Sequence, residues 1–353
     1  MFCVHKKFQH ILLLLLILFG SISVSYGQNV CSQTLKKAQK LYDQGQLNDV
    51  PALLESCIKD GFTRNEALQA WRLKSLVYIF QDEDSLADYA ITQLLKIDPE
   101  YQYNKAVDPA EFVKLYNRNK SIPWISLGIL AGVNYAQPFV SHPYGFGNTS
   151  NSPGQYSQKI DSSFGFQAGI SSDIRIFKGL NANVSFMFIQ NTTNYRTTIN
   201  DYTVSKLQET QNILDLPILV KYNFLQTRFT PYIQAGASGS FLINSSGKAN
   251  RVNGSVQETG PDIDMSNLRN RLRYNFILGG GLKYKFGYNY ILLDVRYYIG
   301  MVNQADPTKR YTNTDLTYKY GYADSDFRLN NLSISLGFYR SFYTTKRIKE
   351  KIL

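Results

Sequence analysis

Between Trp124 and Tyr343 the chain alternates apolar residues with small or polar ones over about eight segments of roughly ten residues each, the length and pattern of lipid-facing strands in a closed barrel. The clearest segment runs from Tyr290 to Gly300. There Ile291, Leu293, Val295, Tyr297 and Ile299 fall on one face, and Asp294, Arg296 and Tyr298 on the other. A soluble core seldom interleaves charge with apolar residues so regularly. The alternation predicts an outer-membrane barrel, whose backbone polar groups are all satisfied between strands.

Residues 1–27 read as a secretory signal. Lys6 and Lys7 are basic, Ile11 to Phe19 is an unbroken apolar run, and Ser25-Tyr26-Gly27 forms a small-x-small cleavage site before Gln28. The run is shorter than the ~20 residues of a bilayer span, which argues against an anchoring helix, and no later segment is longer. Gln28, Asn29 and Val30 lack the small residues that precede a lipid-modified cysteine, so Cys31 is not read as an anchor. With Cys3 in the leader, Cys31 and Cys57 remain in a compartment where disulfides persist. They are expected to pair; two buried free thiols are the alternative.

Residues 28–120 carry helix periodicity instead. Leu35, Ala38, Leu41 and Tyr42 share a face, Gly45 breaks it, and Val50, Leu53, Leu54 and Cys57 begin another. Trp71, Ser75, Tyr78, Ala87 and Pro99 stand where a tetratricopeptide repeat places its large, small, aromatic, small and terminating residues. Ala38, Leu41 and Gly45 match more loosely, about 37 residues upstream. Asp108 to Tyr116 predicts a closing helix with Asp108 as N-cap, Pro109 first and Glu111 third. Such a TPR-like module binds a periplasmic or membrane protein partner. Tyr42, Trp71 and Tyr78 belong to its binding face or, alternatively, to its helical core.

In residues 121–345 strands are expected near 124–136, 163–176, 180–192, 212–224, 228–243, 273–286, 289–301 and 328–343. Connections after the second, fourth and sixth are short; the others are long and polar. Outer-membrane barrels have short periplasmic turns and long external loops, so the module and the basic tail 346–353 fall in the periplasm. Gly128, Gly132, Gly165, Gly169, Gly236, Gly279, Gly281 and Gly337 take lumen positions in this phase. Trp124, Phe177, Phe224, Phe229, Phe286, Tyr288, Tyr290 and Phe342 suit the periplasmic aromatic girdle, and Tyr135, Phe164, Phe241 and Tyr274 the outer one. The whole is an α+β multidomain chain, a helical module followed by an eight-stranded antiparallel transmembrane barrel.

Leu214-Asp215-Leu216-Pro217-Ile218-Leu219-Val220-Lys221-Tyr222, Pro231-Tyr232-Ile233-Gln234-Ala235-Gly236, Gly279-Gly280-Gly281 and Leu332-Ser333-Ile334-Ser335-Leu336-Gly337 resemble the PorT-like outer-membrane barrel family of Bacteroidota over residues 124–343. The resemblance implies eight strands, and one member's link to protein secretion and gliding. The helical extension departs from the simple family member.

Alternation gives the lumen Asp173, Arg175, Asp215, Lys221, Lys283, Lys285, Asp294 and Arg296, with Gln167, Gln234 and Tyr298. In so narrow a barrel they form an ion network, or else the wall of a narrow path for ions or small solutes. Catalysis is not expected. His5 and His10 lie in the leader, and His142 sits in a loop beside Pro143. Asp262 and Asp264, or Asp324 and Asp326, lack the ligand spacing of a calcium loop, so no metal or cofactor is expected. The excess of 38 Lys and Arg over 27 Asp and Glu gives +11. In an exported chain it points to outer-membrane lipids and lipopolysaccharide phosphates and not to nucleic acid; the tail residues Lys346, Arg347, Lys349 and Lys351 suit the inner leaflet or are simply solvated. Loop tyrosines Tyr144, Tyr156, Tyr311, Tyr318, Tyr320 and Tyr322, with Phe146, pack together or form an adhesive surface. The expected role is to anchor an interaction module in an envelope secretion, motility or assembly complex, with a narrow conduit as the alternative.

Overall fold

Period-3.6 patterning resolves, in the computed structural model, into five α-helices among the described residues: α1 (Gln28–Asp43), α2 (Asp49–Asp60), α3 (Arg64–Phe80), α4 (Asp84–Ile97) and α5 (Ala110–Arg118). The structure describes residues 28–144, 156–199, 203–225, 227–253 and 256–347. The expected leader, Phe146, Lys349 and Lys351 lie outside them. The chain divides into two units, Met1–Ile122 with Thr344–Leu353, and Pro123–Tyr343.

In the first unit α3 is the central helix, with α1, α2, α4 and α5 all packed on it. Leu35, Ala38, Val50 and Leu54 meet Ala70, Leu73 and Val77 on one side. Ala87, Ile91, Leu94, Phe112 and Leu115 meet Trp71 and Leu76 on the other. A reciprocal cap starts α3: the Glu66 N–H donates to the Thr63 hydroxyl, and the Thr63 N–H to Glu66 Oε2 at 2.9 Å. Cys31 and Cys57 are joined, with Cα atoms 5.6 Å apart, tying α1 to α2. One expectation is corrected. Pro109, not Asp108, holds the cap position of α5, because the buried Asp108 carboxylate already accepts from Arg72 Nε at 2.8 Å and from the Asn104 N–H at 2.7 Å.

The strands are β1 (Asn119–His142), β2 (Tyr156–Phe177), β3 (Leu180–Ile199), β4 (Thr203–Asn223), β5 (Phe229–Asn253), β6 (Val256–Asp264), β7 (Leu272–Phe286), β8 (Asn289–Gly300) and β9 (Asp326–Arg347). Eight of them close a ring, β4 lying beside β5 and β9 beside β1. Closure leaves no unpaired edge in the hydrocarbon. β6 stands outside the ring, folded back on the far part of β5. Gly179 at φ +85° and Gly287 at φ +57° make the tight turns after β2 and β7 in a conformation that glycine adopts without strain.

Burial alternates along each wall. On β8, Tyr290, Leu292, Asp294, Arg296 and Tyr298 are buried inside while Ile291, Leu293 and Val295 are exposed outside. A methyl group on Gly281 would lie 2.0 Å from the Leu293 carbonyl and 2.6 Å from the Tyr232 hydroxyl, so only glycine admits this approach. β1 to β5 run 20 to 25 residues, well beyond the expected ends at 136, 163, 192, 212 and 243. Past those ends the added residues lie at the long-connection end; β1 also starts five residues before the expected 124. On β3 and β4 the alternation persists there, but the outward residues turn polar (Thr192, Asn194, Arg196; Thr210, Gln208, Lys206), which reads as loop.

Candidate functional site: the charged barrel interior

Asp173 on β2, four residues from the turn that follows, is the centre of the first cluster. Lys221 of β4 lies 2.9 Å from its Oδ1 and Lys283 of β7 2.9 Å from its Oδ2. Asn183 Nδ2 donates to Oδ1 at 2.7 Å and the Tyr290 hydroxyl to Oδ2 at 2.9 Å. Lys221 also sits 4.8 Å over the Tyr232 ring, and Lys283 5.0 Å over Tyr290. The Lys221 and Asp173 side chains are 0% and 1% exposed, so each charge depends on the others instead of on water.

Further along the lumen Arg296 grips Asp294 through Nε at 2.9 Å and Nη2 at 2.7 Å, and Gln234 Nε2 donates to the other carboxylate oxygen at 2.6 Å. Asp215 accepts from the Ser240 hydroxyl at 2.5 Å. Of the eight expected lumen charges the buried ones are thus Asp173, Asp215 and Asp294 against Lys221, Lys283 and Arg296, three acids to three bases. Arg175 and Lys285 do not join it: Arg175 is half-buried, and Lys285 is exposed with its ammonium 5.8 Å from the Tyr343 ring. Tyr290 is likewise no girdle residue. It is buried in the lumen, stacked 4.8 Å from Tyr339.

A second buried cluster, which sequence reasoning missed, fills the long-connection end. Arg269 donates to Glu209 through Nε and Nη2, both at 2.7 Å, and to Asp324 through Nη1 at 2.7 Å. The Tyr195 hydroxyl donates to Glu209 at 2.7 Å, and that of Tyr322 to Asp324 at 2.5 Å. Burial pushes the Asp324 carboxyl up, with Arg269 opposing. Leu207, Ala249, Met265, Leu268, Leu316 and Phe327 pack around this cluster. The available signal was the inward set Ser205, Leu207, Glu209 and Gln211, still at period two where no lipid-facing residue remains.

Between the clusters an interior recess of about 30 Å³, lined by Asp215, Arg273, Tyr298, Gln304 and Asn331, has room for about one or two waters. Asp326 and Asp262 hold Arg310 at 2.6 Å and Lys248 at 3.9 Å, and Asp264 accepts from the Ser266 N–H. Among the described residues no group of three or more His, Cys, Asp or Glu is arranged for a metal. His142 is exposed at the end of β1. Tyr322 is buried, Tyr144 carries Arg310 on its ring, and Tyr311 and Tyr318 are exposed.

In the helical unit Trp71 is core, and Tyr42 and Tyr78 are partly buried against it. Each of the first two pairs with an outer aromatic, Trp71 edge-on with Tyr89 at 5.8 Å and Tyr42 with Phe80 at 6.0 Å. Tyr89, Phe80 and Leu86 are exposed. Buried Lys74 pairs with Glu55 at 2.6 Å, and that hydrogen bond holds the Glu55 carboxyl below its usual range. Glu66 is lowered in the same way by hydrogen bonds from Ser32 and from the backbone and side chain of Thr63.

Several solved barrels are similar to the chain. They include Neisserial surface protein A (15% identity, 61% of this chain and 97% of that one, TM-score 0.26), OprG from Pseudomonas aeruginosa (10%, 63% and 98%, 0.35) and Ail of Yersinia pestis (12%, 62% and 99%, 0.26). No curated protein matches. The model of the outer membrane protein beta-barrel domain family matches residues 121–306, more than half of the chain. Together with an eight-stranded ring whose outward residues are apolar, this match establishes that the chain belongs to the outer membrane protein beta-barrel domain family.

Proposed function

We propose that the barrel anchors residues 28–120 on the periplasmic side of the outer membrane, where they dock a protein partner as a non-catalytic component of an envelope secretion, motility or assembly complex. The observation that carries this reading is the contrast between the two units: a lumen filled by a charge-balanced network, and a disulfide-tied helical module that leaves Phe80, Leu86 and Tyr89 exposed. An exposed aromatic beside a buried one gives a partner rigid apolar area at little entropic cost. The tight turns at Gly179 and Gly287 support this orientation, since short connections are typical of the periplasmic end and β1 begins and β9 ends beside them. Helices α1 to α4, joined by short connections and stacked through α3, support the TPR-like assignment, and the motif residues of β4, β5, β7 and β9 support the PorT-like one.

Photoreactive residues at 80 and 89 in intact cells test the docking. One defined periplasmic or membrane protein is expected to cross-link, and to be lost on deleting residues 31–117 while the barrel keeps its heat-dependent gel mobility. No cross-link from either position, with steady conductance across a planar bilayer, would overturn docking in favour of a narrow conduit.

A further inference from the structure

A row of cations crosses the outward wall at the long-connection end. β2 sets Lys159 opposite Arg196 of β3, and β3 sets Arg196 opposite Lys206 of β4. Two residues along from Lys206, Gln208 stands opposite Lys248 of β5. All four basic side chains are exposed, while Tyr195, Leu207 and Ala249 next to them turn inward to the core. Residues directly opposed on neighbouring strands have Cα atoms about 4.5–5.5 Å apart, and like charges so placed repel. Lys159 has Asp161 at 3.1 Å and Lys248 has Asp262 at 3.9 Å. Among the described residues no carboxylate pairs with Arg196 or Lys206 at the centre of the row. A bound polyanion would offset that repulsion.

The height of the row selects the anion. Phe188 on β3 and Leu214 on β4 are the last outward apolar residues before it, eight residues from Arg196 and Lys206, and Phe164 on β2 and Ile243 on β5 stand five residues from Lys159 and Lys248. Five to eight residues at ~3.3 Å span about 16–26 Å of strand, or roughly 13–20 Å along the axis of a barrel tilted by ~40°. Phospholipid head groups reach only about 5–8 Å beyond the hydrocarbon. The row therefore faces sideways above them, at the level of the sugars of the outer leaflet's own glycolipid. Asn194, Gln208 and Asn250 share this face and supply hydrogen bonds to hydroxyls. We propose that Lys159, Arg196, Lys206 and Lys248 bind the phosphorylated core saccharide of the lipopolysaccharide flanking the barrel; this rests on the orientation proposed above.

The test uses the full chain in lipid nanodiscs and purified lipopolysaccharide, intact or dephosphorylated. Binding to the intact glycolipid is expected to weaken with salt and to fall roughly thirtyfold in R196Q/K206Q, each charge contributing about a fivefold factor. Dephosphorylation should weaken wild-type binding similarly. Arg196→Gln alone should raise the unfolding temperature of the ligand-free barrel by relieving the repulsion, which a purely structural arginine would not do. Affinity of R196Q/K206Q within twofold of wild type, or equal binding of the dephosphorylated form, would overturn the proposal. In intact cells an impermeant maleimide should label Lys206→Cys. Failure to label would overturn the orientation, and the glycolipid occupant with it; labelling with unchanged affinity overturns the row alone.

Discussion

Asp173 holds two buried ammonium groups, so its removal and the removal of one lysine differ in consequence. Asp173→Asn leaves Lys221 and Lys283 facing each other without a carboxylate, and a cost of about 3–5 kcal/mol is expected for breaking a buried ion network in this way. Lys221→Met leaves Asp173 with Lys283, Tyr290 and Asn183 and should cost markedly less. The temperature at which each variant loses the mobility of the folded barrel on a gel checks the order. Period two was enough to find Asp173, Lys221, Lys283, Asp294 and Arg296, because alternation tells which face a residue takes. It does not tell height. Arg175 and Lys285 have the right phase but stand at strand ends beside the turns, where the lumen opens to water. Tyr290 fails for the opposite reason: its phase, shared with Asp294, pointed inward, but its aromatic type suggested the girdle.

Among the elements, α3 depends most on a local device. Thr63→Ala removes the reciprocal cap and should lower the stability of the helical module by about 1 kcal/mol, read from thermal loss of helical signal in the full chain. The same box gives a pH dependence. The folded Glu66 carboxyl lies below its ordinary value, chiefly through the bond from Ser32 and then through Thr63. Its contribution is therefore complete above the usual glutamate range and is lost as pH falls through the lowered value, so Thr63→Ala should flatten the acid limb of module stability. The helices were legible because their apolar spacing and their breaks at Gly45 and Pro99 agree. The far halves of β2 to β5 were not, because a strand that leaves the bilayer keeps its inward pattern but loses the outward apolar residues that identify it.

For the whole molecule the even strand number and the alternation of short and long connections were legible, since both follow from closing a sheet in lipid. The packed head around Arg269 was not, because residues 195, 209, 269 and 324 are brought together only by the ring. Seven of the eight seams join strands that follow one another along the chain, apart from the β6 excursion; the eighth joins β9 to β1. Across it Ser126 and Ser341 lie 3.0 Å apart, 215 residues distant in sequence. Deleting residues 326–347 should therefore abolish the heat-resistant monomer, not merely weaken it, as fractionation and gel mobility would show, because two strand edges would then face hydrocarbon. That last seam also sets a timetable. Hairpins can zip in the order of export, but the first strand must wait, one side unclaimed, until the final one is delivered, so the nascent barrel is an open sheet whose exposed edge has to be guarded for nearly the whole of its assembly.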